Sequence, residues 1–432
     1  MESVRSEILP GVWLTALKTD KFKTDCLSMT LLTQLTRENA AKNAVLPFVL
    51  RRGTELYPDM QSIAAELDSL YGAYVEPVVR RIGEIQCVGF LASFPDDKYL
   101  PQGEDVFART AGLMGEMLLH PNTSGGLLRV EYVESEKEKL LELIRSRVNE
   151  KRSYSIQRLI EEMCCYEDFA VTRFGTEDTA ESIYYRSLTK HYRTLLSSSP
   201  VEVFYCGSKD AKAVSEAISD ALCGMPRGEI DYNIGTDIRM NSVEEDARYF
   251  EEELSVTQGK LVMGYRLGDC MDDPDIAAIY VFNAVFGGSV TSKLFMNVRE
   301  KLSLCYFAGS FADAHKGLLT VYSGIDFDKF DEAKAEILAQ LDDIRHGNVT
   351  EEELRNAKTA VITALSMIPD SAGELEGFWL ANTVDGIELE PEELASLCEY
   401  VSLDDVVSIA NSVVLDAVYF LQGNGEDGND EA

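Results

Sequence analysis

The order of predicted secondary-structure elements repeats once along the chain, and this repeat limits the possible folds more than any other feature. Periodicity and turn residues predict, in the first part, a strand at 27–35, helices beginning near Asn39 and Asp59, strands at 73–82 and 84–94, and a helix at 103–119. The second part has a strand at 259–265, helices at 275–286 and 291–301, strands at 305–312 and 317–324, and a helix at 328–345. Both parts therefore contain the sequence strand, helix, helix, strand, strand, helix.

The ends of the two parts repeat as well. Ser187-Leu188 is predicted to open a helix that leads to a strand ending at Gly207, and Ser402-Leu403 to open one that leads to a strand ending at Gly423. Two homologous halves are the simplest explanation. We place the first at 1–222 and the second at 246–432, with 223–245 as a linker because its first residues are rich in glycine and proline.

Long helical tracts complete each half and set the fold class. One is predicted at about 129–164, with apolar residues on one face, and its counterpart at 351–368 begins with the capping-box pair Thr350 and Glu353. Helices and antiparallel-looking strand pairs are separate within each half. The sequence therefore predicts an α+β protein.

The composition excludes several functions. The net charge of −34 disfavours nucleic-acid binding, and it is explained either by solubility or by an acidic chamber that attracts basic peptides. No apolar run is long enough to span a membrane, and the first residues do not resemble a signal peptide. The nine cysteines, among them Cys270, include no C-x-x-C pair. We expect a cytoplasmic protein.

Most familiar catalytic motifs are missing. The four histidines do not form a helical zinc pair, and His120 and His346 are interpreted as residues that end helices. There is no G-x-S-x-G elbow, and the segment 287–293 lacks the spacing of a phosphate-binding loop. The adjacent Cys164 and Cys165 are predicted to be buried packing residues.

One segment resembles a known family. Glycines at 287–288 precede a helix that ends in Val-Arg-Glu-Lys at 298–301, and Leu-Cys-Tyr follows at 304–306. This pattern is similar to the C-terminal signature of the pitrilysin/insulinase metallopeptidases, which include the mitochondrial processing peptidase. The resemblance implies two halves, each a mostly antiparallel sheet with helices on one side, that form a clamshell, as in LuxS-like metallohydrolases. It also implies that Arg299 and Tyr306 hold the substrate backbone.

The first half departs from that family at the zinc motif. Active members carry H-x-x-E-H shortly before a Gly-Thr, and alignment on Gly53-Thr54 puts Ala44, Pro47 and Phe48 at these three positions. The third ligand, a glutamate, falls on Leu143, and a shift of one residue would bring Glu142 there. A lone carboxylate cannot hold zinc. We therefore expect no metal or other cofactor in this chain.

The resemblance implies a non-catalytic subunit of a bacterial pair, of the kind that Gram-positive bacteria encode beside an active subunit. Some such pairs are associated with modification of elongation factor P. The expected partner is a homologous H-x-x-E-H subunit that carries the zinc, and the expected ligand is a peptide or unfolded polypeptide. Alternatives are a scaffold or peptide-binding module without proteolysis, and an independent enzyme that uses other residues. The stoichiometry stays open, including a homodimer of the isolated chain.

The two candidate substrate-binding residues also have structural explanations. Arg299 could form an ion pair with a neighbouring acid such as Glu300, and Tyr306 could be a half-buried strand residue. The position of each side chain in the fold distinguishes these explanations from a role in binding.

Overall fold

The computed structural model describes residues 2–268 and 273–423. Cys270 and residues 424–432, which the sequence predicts to be a frayed acidic tail, lie outside the described residues. The strands, in chain order, are β1 (Glu2–Leu9), β2 (Val12–Lys18), β3 (Thr24–Gln34), β4 (Tyr74–Ile82), β5 (Ile85–Pro95), β6 (Thr123–Ser124), β7 (Leu127–Leu128), β8 (Val201–Gly207), β9 (Arg248–Leu254), β10 (Gly259–Arg266), β11 (Cys305–Asp313), β12 (Leu318–Ile325) and β13 (Val414–Gly423).

Most of the remaining regular structure is helical. The α-helices are α1 (Ala40–Leu50), α2 (Met60–Ser69), α3 (Val106–Leu119), α4 (Val130–Ser146), α5 (Lys151–Met163), α6 (Glu177–Glu181), α7 (Tyr185–Ser198), α8 (Ala211–Ala221), α9 (Asp273–Asn283), α10 (Phe330–Arg345), α11 (Glu351–Met367), α12 (Ala372–Asp385), α13 (Pro391–Tyr400) and α14 (Leu403–Ser412). Two π-helical segments follow α9, at Ala284–Gly288 and Leu294–Lys301. None of the helices within 2–268 and 273–423 is both long and apolar enough to cross a bilayer.

The two main sheets have the same strand order. The first is β4-β5-β3-β8-β2-β1 and the second is β11-β12-β10-β13-β9. In each, one neighbouring pair is parallel, β2 with β8 and β9 with β13, and the other neighbours are antiparallel. This correspondence confirms the predicted α+β class and the two homologous halves. β1 has no counterpart among the described residues of the second sheet.

The chain divides into two compact units, and neither is continuous in sequence. The first contains Met1–Arg145, Val171–Gly235 and Asp370–Val384, and the second contains Ser146–Ala170, Thr236–Pro369 and Asp385–Ala432. Each unit therefore includes a helix from the other half of the chain, α5 in the second unit and α12 in the first. The predicted boundaries at 222 and 246 separate the two copies of the sequence repeat. The two compact units have different boundaries, because each includes a segment from both copies.

A buried group of charges holds α5 and the residues after it in the second unit. Arg266 of β10 has no exposed side-chain surface and donates two hydrogen bonds to Glu167, at 2.7 and 3.1 Å, and one to Asp416 of β13 at 2.8 Å. Lys316 contacts Glu167 at 2.6 Å, and Arg248 of β9 contacts Asp416 at 2.8 Å. Burial alone would raise the pKa of Glu167, but hydrogen bonds from Arg266 and Lys316 hold it below its ordinary value.

The equivalent helix in the first unit is held in a similar way. Glu376 of α12 is fully buried and accepts a hydrogen bond from Arg80 of β4 at 2.5 Å. One turn later, Leu380 packs in a small core cluster with Leu32, Ile85 and Cys87 of the sheet. Each segment that joins the unit of the other half thus combines an apolar contact with an ion pair whose carboxylate is buried, Glu167 just after α5 and Glu376 in α12.

Several local predictions are confirmed. Asp59 caps α2, His120 and His346 lie at the C-caps of α3 and α10, and Thr350 and Glu353 form the predicted capping box of α11. In the capping box, the Thr350 amide donates to Glu353 at 2.7 Å, and the Glu353 amide donates to the Thr350 hydroxyl at 3.1 Å.

Other local predictions are wrong. The helical tract 129–164 is interrupted at 147–150, where a 3₁₀ turn at Arg147–Asn149 is followed by a non-helical ψ of 77° at Glu150. The two helices on either side of this break belong to different units. Ser187 is the third residue of its helix rather than its first, because α7 begins at Tyr185. Cys165 is exposed, whereas Cys164 is buried as expected.

A variant of Arg266 tests the buried charge group. Arg266→Met leaves Glu167 and Asp416 buried with fewer partners, so we expect the free energy of unfolding of the second unit to fall by about 3–5 kcal/mol. The exposed Arg145 pairs with Glu177 and Glu181 at the surface, and Arg145→Met should cost less than about 1 kcal/mol. Urea titration with hydrogen exchange of β10 and α5 measures both. Equal effects of the two variants would contradict a stabilising role for the group.

A second buried carboxyl group makes the stability of the first unit depend on pH. Asp25 of β3 is 1% exposed and accepts a hydrogen bond from the Tyr205 hydroxyl at 2.7 Å. Burial, assisted by the charges of Asp96 and Asp97, raises the pKa of Asp25 to about 7, although the Tyr205 hydrogen bond acts to lower it. In the unfolded chain an aspartate has a pKa of about 3.9. Between these two values the folded state binds a proton that the unfolded state releases.

The contribution of Asp25 to the free energy of unfolding should therefore fall as the pH rises from about 4 to about 7, and stay constant above that. Asp25→Asn removes the ionisation, so its free energy of unfolding should rise relative to that of wild type over this range. At pH 8 the variant should be more stable by up to about 3–4 kcal/mol. Urea midpoints measured from pH 4 to pH 8 check this. The exposed Asp220→Asn is the control, and a difference between Asp25→Asn and wild type that does not vary with pH would contradict the assignment.

Candidate functional site

The three positions that align with H-x-x-E-H lie on α1. Ala44 and Pro47 are buried, and Phe48 is 40% exposed. Pro47 lies inside the helix and has no amide hydrogen, so it cannot donate to the carbonyl of Asn43. A proline at this position is thus tolerated in the fold, but it cannot serve as a general base.

The position of Leu143 on α4 follows from contacts at both ends of the two helices. Arg52, just after α1, pairs with Glu136 of α4 at 3.0 Å. At the opposite ends, Gly175 lies against Ala41 of α1, and Arg145 of α4 pairs with Glu177, two residues after Gly175, at 2.8 Å. These contacts indicate that α1 and α4 run antiparallel.

The aligned positions therefore lie along two antiparallel helices. Leu143 lies between Glu136 and Arg145, and Ala44 and Phe48 lie between Ala41 and Arg52. Leu143 is 43% exposed, similar to Phe48. At the four aligned positions this chain has apolar side chains, of which Phe48 and Leu143 are exposed and Ala44 and Pro47 are buried.

These residues do not fit a zinc ion. Alanine, proline, phenylalanine and leucine have no nitrogen, oxygen or sulfur donor that binds zinc. The carboxylate of Glu136, two turns before Leu143, accepts hydrogen bonds from Arg52 at 3.0 Å and Lys139 at 2.8 Å. Over the described ranges no group of three histidine, cysteine or acidic side chains could hold a metal ion.

Arg299 lies in the π-helical segment Leu294–Lys301, and its guanidinium is partly exposed. The guanidinium carbon lies 4.7 Å from the centre of the Phe295 ring, and Nη1 is 3.6 Å from a Glu300 carboxylate oxygen. The ion pair with Glu300 suggested by the sequence is therefore present, but it is long. The Arg299 side chain is 39% exposed, so the guanidinium can also reach a ligand.

Tyr306 is placed by an irregularity in β11. Cys305 pairs with Ile325 and Phe307 pairs with Gly324, so Tyr306 is the additional residue of a β-bulge. Bulges redirect a side chain out of the regular alternation of a strand. Tyr306 is 61% exposed rather than half-buried. Its hydroxyl donates to Asp326 at 3.2 Å, and this hydrogen bond raises the pKa of Tyr306.

The turn between these two residues has an unusual backbone. Ser303 has a φ of 51°, in the left-handed region that L-residues avoid. Among the residues that the structure describes, Tyr71 is the other non-glycine residue with a positive φ, at 60°. It follows α2 and precedes β4, the edge strand that corresponds to β11 in the first sheet. The two halves thus have a strained turn at the same place.

The structure places the predicted residues in two groups, Arg299 and Tyr306 in the second unit and the four aligned zinc positions in the first. The sequence did not indicate Phe295 or Asp326, which orient Arg299 and Tyr306. No spacing signal identifies either residue, because each contact depends on the helix and sheet geometry. Lys293, in the segment that superficially resembles a phosphate loop, is buried and pairs with Glu353 at 3.1 Å.

Comparison with known proteins agrees with this description. Residues 182–361 match the family described as peptidase M16 inactive domain. The chain is 32% identical, over 96% of both sequences, to the probable inactive metalloprotease YmfF of Bacillus subtilis. A part of it is 26% identical over 163 residues to the uncharacterized zinc protease YmxG of the same organism, covering 37% of each protein.

The fold is also found in solved structures. A conserved protein from Enterococcus faecalis superposes with a TM-score of 0.88 at 28% identity, covering 98% of this chain and 99% of that one. This likeness extends over nearly all of both chains, as the similarity to YmfF does. These similarities lead to one conclusion. The chain belongs to the M16 peptidase family, as an inactive metalloprotease-like member.

Proposed function

We propose that this protein is a non-catalytic peptidase-like subunit that binds an extended polypeptide and supplies Arg299 and Tyr306 to the active site of an H-x-x-E-H partner. The partner carries the zinc ion, which activates the attacking water. Arg299 and Tyr306 hold and polarise the substrate backbone, since a guanidinium and a phenol are hydrogen-bond donors. The partner is expected to be a homologous metallopeptidase subunit.

The strained backbone between Arg299 and Tyr306 is the observation that carries this proposal. A left-handed L-residue at Ser303, a π-helical segment and a β-bulge lie within 294–306. Each is a departure from regular geometry that costs free energy, and such departures are concentrated at functional sites. Their joint effect is to present both side chains at the surface, although the positions aligned with H-x-x-E-H carry no zinc donor.

A scaffold without proteolysis is the second candidate. It is favoured by the internal partners of both residues, because the Tyr306 hydroxyl donates to Asp326 and the Arg299 guanidinium stacks on Phe295. In a scaffold, these two internal contacts would stabilise the turn, and neither side chain would bind a substrate. The two candidates differ in what happens to the peptidase rate of the complex.

The rate experiment uses the pair reconstituted with a zinc-loaded H-x-x-E-H partner. Arg299→Ala and Tyr306→Phe should each lower the turnover of a mixed peptide library by about 10²–10³-fold, the usual effect of losing a donor to the transition state. Folding and association should not change. The exposed Arg145→Ala and Tyr400→Phe are matched controls. If gel filtration shows an intact complex and both site variants keep the wild-type rate, the scaffold is the correct function.

Relief of the backbone strain gives a separate prediction. A left-handed L-residue costs about 1–2 kcal/mol, whereas glycine adopts this conformation freely but loses about 0.5–1 kcal/mol more entropy on folding. Ser303→Gly should therefore raise the free energy of unfolding of the second unit by about 0.5–1 kcal/mol. Urea titration measures this, with Ser310→Gly in β11 as the control expected to destabilise. A loss of stability at Ser303→Gly would show that the turn is not strained.

A further inference from the structure

One corner of the second unit is open where the corresponding corner of the first is covered. In the first sheet, β2 pairs with β8 on one side and with β1 on the other, and α8 packs against both β1 and β2. In the second sheet, β9 corresponds to β2 and pairs with β13. As far as the described residues extend, β9 is the last strand of its sheet. Its outer row of backbone amides and carbonyls is therefore available for pairing.

The two faces of β9 differ in character. Phe250 and Leu254 pack against the core cluster that contains α5, and Glu252 on the same face accepts hydrogen bonds from the Tyr154 and Tyr419 hydroxyls at 2.6 and 2.8 Å. Glu252 also pairs with Arg158 at 3.1 Å. This face is thus occupied by contacts within the unit.

The opposite face is exposed and acidic. It carries Tyr249, which is 55% exposed, and the exposed Glu251 and Glu253. Three further exposed acids, at 244–246, precede the strand. The nearby cation Lys334 of α10 lies over the Tyr249 ring at 4.9 Å. Arg248, the basic residue of β9 itself, pairs with the buried Asp416.

We propose that β9 is a docking edge for an extended, basic segment of a partner protein, which adds to the sheet as a sixth strand. The main-chain hydrogen bonds of an added strand would supply affinity, as they do for β1 on β2, and lysine or arginine side chains opposite Glu251 and Glu253 would supply selectivity. This proposal does not depend on the peptidase function proposed above, because it concerns a different edge of the sheet from β11.

Charge excludes two other occupants. A second copy of the chain would bring the acids of one β9 edge against those of another, and like charges on adjacent strands are destabilising. The chain's own tail, at 424–432, has four acidic residues and no basic residue, so it would be repelled as well. The same acids that prevent such pairing would attract a basic segment.

Binding of a designed peptide to the full chain tests this edge directly. The probe is a ten-residue peptide of alternating threonine and lysine with a neutral dye, measured by fluorescence anisotropy. A second probe has the same sequence with alternate amides N-methylated, which removes main-chain donors on one edge and leaves the charge unchanged. We expect the first probe to bind, and the N-methylated probe to bind at least about tenfold more weakly, a difference of about 1.4 kcal/mol.

Variants separate strand addition from general attraction to an acidic protein. Glu251→Lys with Glu253→Lys should weaken binding by about tenfold or more, whereas Glu216→Lys with Asp220→Lys on α8, an equal change of charge, should have little effect. Hydrogen exchange should show protection of β9 amides by the first probe. No binding, equal binding of the two probes, equal effects of the two double variants, or protection at β4 or β11 instead of β9 would each overturn the proposal.

Discussion

The buried contact between Arg266, Glu167 and Asp416 is the interaction on which the organisation of the second unit depends. Glu167 belongs to the first half of the sequence, and Arg266 and Asp416 lie on two strands of the second sheet. Ions in a low-dielectric interior are costly unless each is paired, so a displaced Glu167 would leave Arg266 without its bidentate partner. The charges therefore specify where the exchanged segment belongs, in addition to any stability that they contribute.

The two candidate sites differ in their chemistry. α1 and α4 run antiparallel, and Ala44, Pro47, Phe48 and Leu143 supply no donor at the aligned positions. By contrast, the segment at 294–306 keeps costly backbone features and an exposed arginine and tyrosine. This difference is what the proposed subunit, which binds and orients substrate without carrying zinc, would need.

The sequence predicted what local periodicity and capping determine. The strand and helix order of both halves, the capping box at Thr350 and the ends of α3 and α10 follow from nearby residues. It could not predict that the tract at 129–164 divides between two units, because α4 and α5 are both amphipathic and each packs against a distant partner. The bulge at Tyr306 and the contact with Asp326 were also missed, since they depend on the register of β11 against β12.

The exchanged helices have a consequence for the order in which the chain can fold. The first unit needs residues up to Val384, because α12 carries Glu376 and Leu380 into its sheet. During synthesis, most of the first sheet exists long before that helix leaves the ribosome, with Leu32, Ile85 and Cys87 lacking their apolar cover. Folding of the first unit is therefore completed by one of the last helices to be made, and the amino-terminal half spends most of translation as an incomplete domain that a chaperone could recognise.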